Sequence, residues 1–173
     1  MTARIAIVTV SDRAFAGVYE DKGGPGAEAW LRATITSPMD ISRVIVPDGR
    51  AGVADKLREL CKTSDLILIT GGTGPAPRDE TPEAMADVME KELPGFGEEM
   101  RRASLREVPT AILSRQTAGI RGRTLMITIP GKPSAIATCL DAVFAAVPYC
   151  LDLIGAARIE TDPARIKAFR PGA

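Results

Sequence analysis

The chain reads as an α/β protein built on a mainly parallel sheet. Apolar runs of strand length alternate with stretches of helical period from one end of the sequence to the other. The runs are continuous rather than alternating, as in strands buried on both faces. Each ends in a polar or glycine-rich turn that leads into a helix or a long loop. At 173 residues the chain is long enough for one domain with a sizeable core.

Residues 5–10 form the first predicted strand. The loop after it, TVSDRAFAGVYEDKGGPG, is long and polar, a length more common in functional loops than in simple connections. A helix then carries Trp30 and Leu31 toward Ile35. The second strand, residues 41–46, ends at Pro47-Asp48-Gly49, and Val53, Leu57, Leu60 and Cys61 mark one apolar face of the next helix. Leu66-Ile67-Leu68-Ile69 is the third strand. The helix after it is expected to begin with Thr81 as N-cap and Pro82 at its first position, and to bury Met85, Val88, Met89 and Leu93. A second helical piece covers about residues 97–107, its Arg101, Arg102 and Arg106 read as solvated charge. Residues 109–131 read as two strands around a glycine-containing connection, and a helix with Ile136, Leu140 and Val143 on one face follows, broken or restarted at Pro148. The boundaries expected are a domain over residues 1–158 and a polar tail over 159–173.

Composition removes several classes of chemistry. The 22 basic and 22 acidic residues balance, and the pI is about 6.4, so nothing favours non-specific binding to nucleic acid or a membrane surface. No uninterrupted apolar run approaches the ~20 residues of a membrane helix, and the N-terminal apolar stretch is shorter than a secretory core, so a cytoplasmic location is expected. There is no histidine, which removes Ser-His and Cys-His mechanisms and the usual zinc sites. Cys61, Cys139 and Cys150 are unclustered and sit in apolar helical contexts, as small buried residues do.

The chemistry gathers around DLILITGGTGPAPRDETPE, residues 65–83. Strand, glycine turn and helix aim successive backbone N–H groups into a concavity able to hold an anion. Gly71, Gly72, Thr73 and Gly74 would wrap a phosphate, and Asp79 follows where it can hold a cation beside it. The loop is neither a Walker A nor a dinucleotide fingerprint. Ligands of open α/β sheets sit beyond the carboxyl ends of the strands. Four turns meet that condition: residues 9–13 with Ser11 and Asp12, the Asp48 turn, the glycine loop, and Pro130-Gly131-Lys132-Pro133-Ser134. Singly, Asp12 and Asp48 fit ordinary turn or N-cap roles, and Asp79 fits a cap or a pair with Arg78. Together, three carboxylates beside an anion loop would repel a phosphate unless a divalent metal such as Mg2+ lies between them. Metal and phosphate in turn imply phosphoryl or nucleotidyl transfer, and a phosphate-monoester nucleophile needs no general base.

LITGGTG-x4-D is far more specific than its glycines. With VTVSDRAFAGVYEDKGGP, VIVPD, ELPGFGEEMRRASL, VPTAILSRQTAGIRG, IPGKPSAI and VPYCLDLI in that order, the chain resembles the molybdopterin-binding family of molybdenum-cofactor biosynthesis over essentially its whole length. That family comprises the MogA, MoaB and gephyrin G-domain group; SDRAFAGVYEDKG and LPGFGEEMR resemble the MogA-type adenylyltransferases more than MoaB. The resemblance implies a single-domain three-layer α/β/α fold and AMP transfer from Mg-ATP to the terminal phosphate of molybdopterin. It further implies hand-over of the product to a MoeA-type molybdenum-insertion enzyme, and a homotrimer. Asp48 and Asp79 match the family's functional carboxylates and would also hold the metal. Ser11 is a candidate donor to ligand, Ser104, Ser114 and Arg115 fall at pterin-side positions, and residues 130–134 match the PG-x-P motif. Lys132 replaces the Asn or Gln of many members, where it either contacts phosphate or stays solvated. The segment between the last strand and VPYC is shorter than in some members. A non-catalytic carrier of molybdopterin, of the MoaB type, is the alternative from another class, and a receiver-like phosphate-binding domain is a third.

Overall fold

The computed structural model describes residues 1–172. Six strands form one sheet in the order β2-β1-β3-β6-β5-β4. They are β1 (Ala3–Val10), β2 (Met39–Val46), β3 (Leu66–Thr70), β4 (Lys91–Glu92), β5 (Ala118–Arg121) and β6 (Thr124–Ile129). The first four in that order run parallel, and β5 and β4 close one edge antiparallel.

Period-2 alternation splits the strands' apolar side chains between two cores. Ile5, Ile7, Leu66, Leu68, Leu125 and Ile127 face α2 (Gly23–Thr34), α6 (Pro133–Val143) and α7 (Val147–Leu153). Ala6, Val8, Ile67, Ile69 and Met126 face α3 (Arg50–Leu60) and α4 (Thr81–Val88). This is the three-layer α/β/α arrangement expected. On the first face Trp30 meets Phe144 edge-on at 4.8 Å and donates from Nε1 to Asp141 Oδ1 at 2.9 Å, tying α2 to α6.

Several expectations need correction. The helix after β3 stops at Val88, not Leu93; Lys91–Glu92 then pairs with β5 as the sheet edge, and α5 starts directly at Pro94 (Pro94–Ser104). Backbone pairing available at a sheet edge outweighed the helical spacing of Met89 and Leu93. Thr81 is not an N-cap: Glu80 occupies that position, and the buried Thr81 hydroxyl donates back to Gly71 O at 2.9 Å. Residues 109–113 form a 3-10 turn rather than a strand. Arg101 is not solvated charge, since its Nη1 donates to Gln116 O at 2.8 Å. The segment from residue 159 is polar in composition but buries Ile159 and Ile166 in the first core and bridges Thr161 to Ile35. Ala173, the end of the expected tail, lies outside the described residues.

The helical run Pro133–Leu153 has the length and composition of a membrane span. It is broken by a 3-10 turn at Phe144–Ala146 and lays Ile136, Leu140, Phe144, Val147 and Leu151 into the core.

Candidate active site

Register brings the functional turns together. Val10 pairs with Val46, Thr9 with Thr70, and Thr70 with Ile129. The chain therefore leaves β1, β2, β3 and β6 side by side at one edge. From β1 the chain crosses to β2 on one side, and from β3 it continues to β4, β5 and β6 on the other. The crevice between β1 and β3 is thus the topological switch point, where ligands of such sheets bind.

Three cavities line that edge. The first, about 120 Å³, is bounded by Ser11, Asp12, Arg13, Asp48, Gly72, Arg78 and Asp79. The second, about 350 Å³, shares Val10 and Ser11 with it and adds Thr9, Tyr19, Thr70, Gly71, Gly131 and Lys132. The third, about 270 Å³, shares Lys132 and adds Ser104, Ser114, Gln116, Pro130 and Ser134. The three adjoin at these shared residues, with Asp12, Asp48 and Asp79 around the first and Ser104, Ser114, Gln116 and Glu107 around the third.

Asp48 and Asp79, on different turns, face the first cavity together. Asp48 Oδ2 accepts from Asp12 N at 2.9 Å, and Asp12 Oδ1 accepts from Asp48 N at 2.9 Å. This reciprocal clasp fixes both carboxylates and leaves one oxygen of each free of that bond. Asp79 Oδ2 accepts from Ala76 N at 3.1 Å, folding the loop back on itself.

The glycine loop owes its residues to close approach. Gly71 and Gly72 have φ of 92° and 66°. A Cβ on Gly71 would stand 2.4 Å from Val10 O, and one on Gly72 2.3 Å from Thr81 Oγ1. Thr81 N donates to Gly72 O at 3.1 Å, which pins the turn to the start of α4. The N–H groups of Gly72, Thr73 and Gly74 have no acceptor among the described residues, and Gly72 lines the first cavity. Thr73 is buried, and Thr73 and Gly74 lie outside the three cavities' walls.

Arg115 does not line the cavity that holds Ser104 and Ser114. Its Nε donates to Gly74 O at 3.0 Å, its Nη2 to Asp79 O at 2.6 Å, and its guanidinium pairs with Glu83. Its own N–H donates to Thr73 O at 2.7 Å. One side chain so holds both ends of the loop that carries Asp79. The Arg115 guanidinium keeps the Glu83 carboxyl below the usual range, and Glu83 raises Arg115 in return. At the far end, the Ser114 hydroxyl donates to the Gln116 side-chain oxygen, and Gln116 Nε2 points to Cys139 Sγ at 3.5 Å. Burial pushes the Cys139 thiol pKa up, as for an inert core cysteine.

Arg13 and Arg78 are cavity residues that sequence reasoning did not single out. Their signal was adjacency: each sits next to a selected aspartate, in Asp12-Arg13 and Arg78-Asp79. The expected alternative of an Asp79–Arg78 pair is absent among the described residues. Arg13 instead lies 5.6 Å over the Tyr19 ring.

No group of three or more acidic or thiol side chains among the described residues is arranged to hold a metal alone. Two aspartates from separate turns beside the Gly72 N–H fit Mg2+, which takes one or two carboxylates and completes its shell with water and substrate phosphate.

Comparison with known proteins decides the lineage. Residues 6–149 match the family described as "Probable molybdopterin binding domain". The chain belongs to this molybdopterin-binding family. It is 49% identical over 172 residues to a molybdopterin adenylyltransferase of Helicobacter pylori, covering 98% of both chains. It is 45% identical to the molybdopterin adenylyltransferase of Escherichia coli, over 98% of this chain and 94% of that one. Among solved structures, the molybdopterin biosynthesis enzyme MoaB of Thermus thermophilus superimposes with a TM-score of 0.81 at 38% identity, covering 91% of this chain and 99% of that one.

Proposed function

We propose that the protein transfers the adenylyl group of ATP to the terminal phosphate of molybdopterin. A phosphate oxygen of the pterin attacks the α-phosphorus, the bond from that phosphorus to the bridging oxygen breaks, and pyrophosphate leaves with the electron pair. The observation that carries this reading is the meeting of Asp48, Asp79 and Gly72 in one cavity, which adjoins a larger one at Val10 and Ser11. At about 120 Å³ the first cavity is too small for a whole nucleotide, since ligand pockets span ~300–1,000 Å³, but it suits a polyphosphate. The relatives named molybdopterin adenylyltransferase support the same reaction.

In this reading Asp48 and Asp79 would hold Mg2+, which when bound would supply charge neutralisation for the phosphates. Gly72 N–H and Ser11 donate to phosphate oxygen, and Ser104, Ser114, Lys132 and Ser134 receive the pterin half. Thr73 and Gly74 shape the loop, and Arg115 supports it rather than touching substrate. The wider proposal is a cytoplasmic homotrimer that passes its product to a MoeA-type insertion enzyme, which rests on family membership. Incubating the protein with molybdopterin, Mg2+ and ATP and assaying adenylylated pterin and pyrophosphate tests the reaction. Product formation supports it; pterin binding without product would instead favour the carrier reading, which the likeness to MoaB keeps in play. Sedimentation tests the trimer.

A further inference from the structure

The first cavity holds five charged side chains, and its two cations are not engaged by its three anions. Arg13 and Arg78 form no ion pair among the described residues, although Asp12, Asp48 and Asp79 line the same small space. Elsewhere in the molecule nearby opposite charges do close: Arg50 on Asp87, Arg102 on Glu99, Arg115 on Glu83. The difference has a geometric source. Asp12 and Asp48 are turned toward each other's backbone, and Asp79 toward Ala76 N, while Arg13 rests over Tyr19. The three carboxylates and Arg13 are thus held by something other than an opposite charge, and the exposed Arg78 side chain has no partner among the described residues.

Electrostatics say what such a space lacks. Three carboxylates and one divalent ion leave a net negative charge, which would oppose a polyphosphate. Adding two guanidiniums makes the sum positive. Guanidinium also stays charged at any working pH and presents paired N–H donors to phosphate oxygens. The two arginines come from separate elements, Arg13 from α1 (Asp12–Phe15) and Arg78 from the loop before α4, so a ligand between them would be gripped from two sides.

We infer that Arg13 and Arg78 bind the two phosphates that leave as pyrophosphate, and are therefore catalytic residues that stabilise the departing charge. This rests on the adenylyl-transfer reading of the same site. When the bond between the α-phosphorus and its bridging oxygen breaks, the electron pair moves onto the pyrophosphate, which the guanidiniums neutralise.

The test is calorimetric titration of pyrophosphate in the presence of Mg2+, with AMP titrated in parallel and no pterin present. Arg13→Gln and Arg78→Gln are each expected to weaken pyrophosphate about tenfold, the loss of one charged contact, and to leave AMP affinity within about twofold. Arg→Lys at each site should recover part of the loss, and rising salt should weaken wild-type binding more than the double variant's. Both side chains are exposed, so the fold should survive, which melting curves check. Unchanged pyrophosphate affinity in the double variant, or an equal fall for AMP, would overturn the inference. Wild-type turnover assayed alongside keeps the two claims apart: product formed with unaffected variants defeats only the arginine assignment, whereas no product from wild type defeats adenylyl transfer.

Discussion

Asp48 is fixed from within its cavity by a neighbour that shares it, whereas Asp79 is fixed from behind by residues outside it. The Asp48 turn is short, three residues between β2 and α3, and its clasp with Asp12 joins two loops through two equal bonds of 2.9 Å. The Asp79 loop runs ten residues between β3 and α4. A loop of that length needs more than one tie, and Arg115, Thr81 and the Ala76 turn supply them. One carboxylate is thus held by a cavity-lining group that a ligand can touch; the other accepts from Ala76 N within its own loop, whose backbone Arg115 holds from outside that cavity. Mutations should tell the two kinds of support apart.

The largest effects belong to the carboxylates themselves. Asp79→Asn and Asp48→Asn should each lower turnover by roughly 100-fold or more, the scale for removing one preorganised charge-stabilising group, while melting temperature barely moves. Near-normal turnover of either variant would remove that residue from the reacting centre. Next comes the rear support. Arg115→Ala should cut turnover about 10–100-fold, as loss of a residue that orients ligands commonly does, and should raise the Mg2+ concentration needed for half activity. A purely structural role would lower stability without moving that Mg2+ requirement. The Glu83 half of the support also has a pH signature. Its carboxyl is lowered in the folded protein by Arg115, so its contribution is present above the ordinary value near ~4.3 and is lost as pH falls through the lowered one. The stability gap between wild type and Glu83→Gln should therefore be constant near neutrality and close in acid.

The front support was legible in the sequence and the rear one was not, for a physical reason. Asp12 and Asp48 each end a strand of clear apolar pattern, and parallel strands put their ends at one edge, so proximity followed from topology. The two hydrophobic faces were equally readable from the strand runs. Arg115 lies between a 3-10 turn and β5, in a stretch with little periodicity, and its partners Gly74, Asp79 and Glu83 are 32–41 residues away in sequence. Family resemblance placed Arg115 near substrate but could not say which way its side chain turned. The edge strand β4 was hidden likewise: two residues carry no alternation, and only β5 alongside makes them a strand.

Smaller effects refine the clasp. Asp12→Asn keeps an oxygen to accept from Asp48 N, so turnover should fall only about twofold, whereas Asp12→Ala removes one hydrogen bond of about 1 kcal/mol and should cost about fivefold. Equal losses in the two variants would mean that Asp12 acts by charge rather than by orienting Asp48.

The weakest test on turnover concerns the residue at the base of the Asp79 loop. Thr70 ends β3 and is 1% exposed, yet its Oγ1 has no hydrogen-bond partner among the described residues. The position of Gly23 is part of the cause, because any side chain there would meet Gly131 O at 2.8 Å and Thr70 Oγ1 at 3.3 Å, so the backbone of α2 seals the hydroxyl in. A buried hydroxyl without a partner costs about 1–3 kcal/mol, and Thr70→Val removes it at nearly constant shape. The variant should melt about 2–4 °C higher for each kcal/mol recovered in a chain of this size. Its turnover should stay within about twofold, because the loop's ties run through Arg115 and Thr81 and not through this hydroxyl. A variant that melts higher but loses affinity for nucleotide or pterin would show instead that the Thr70 hydroxyl is kept for substrate in the second cavity.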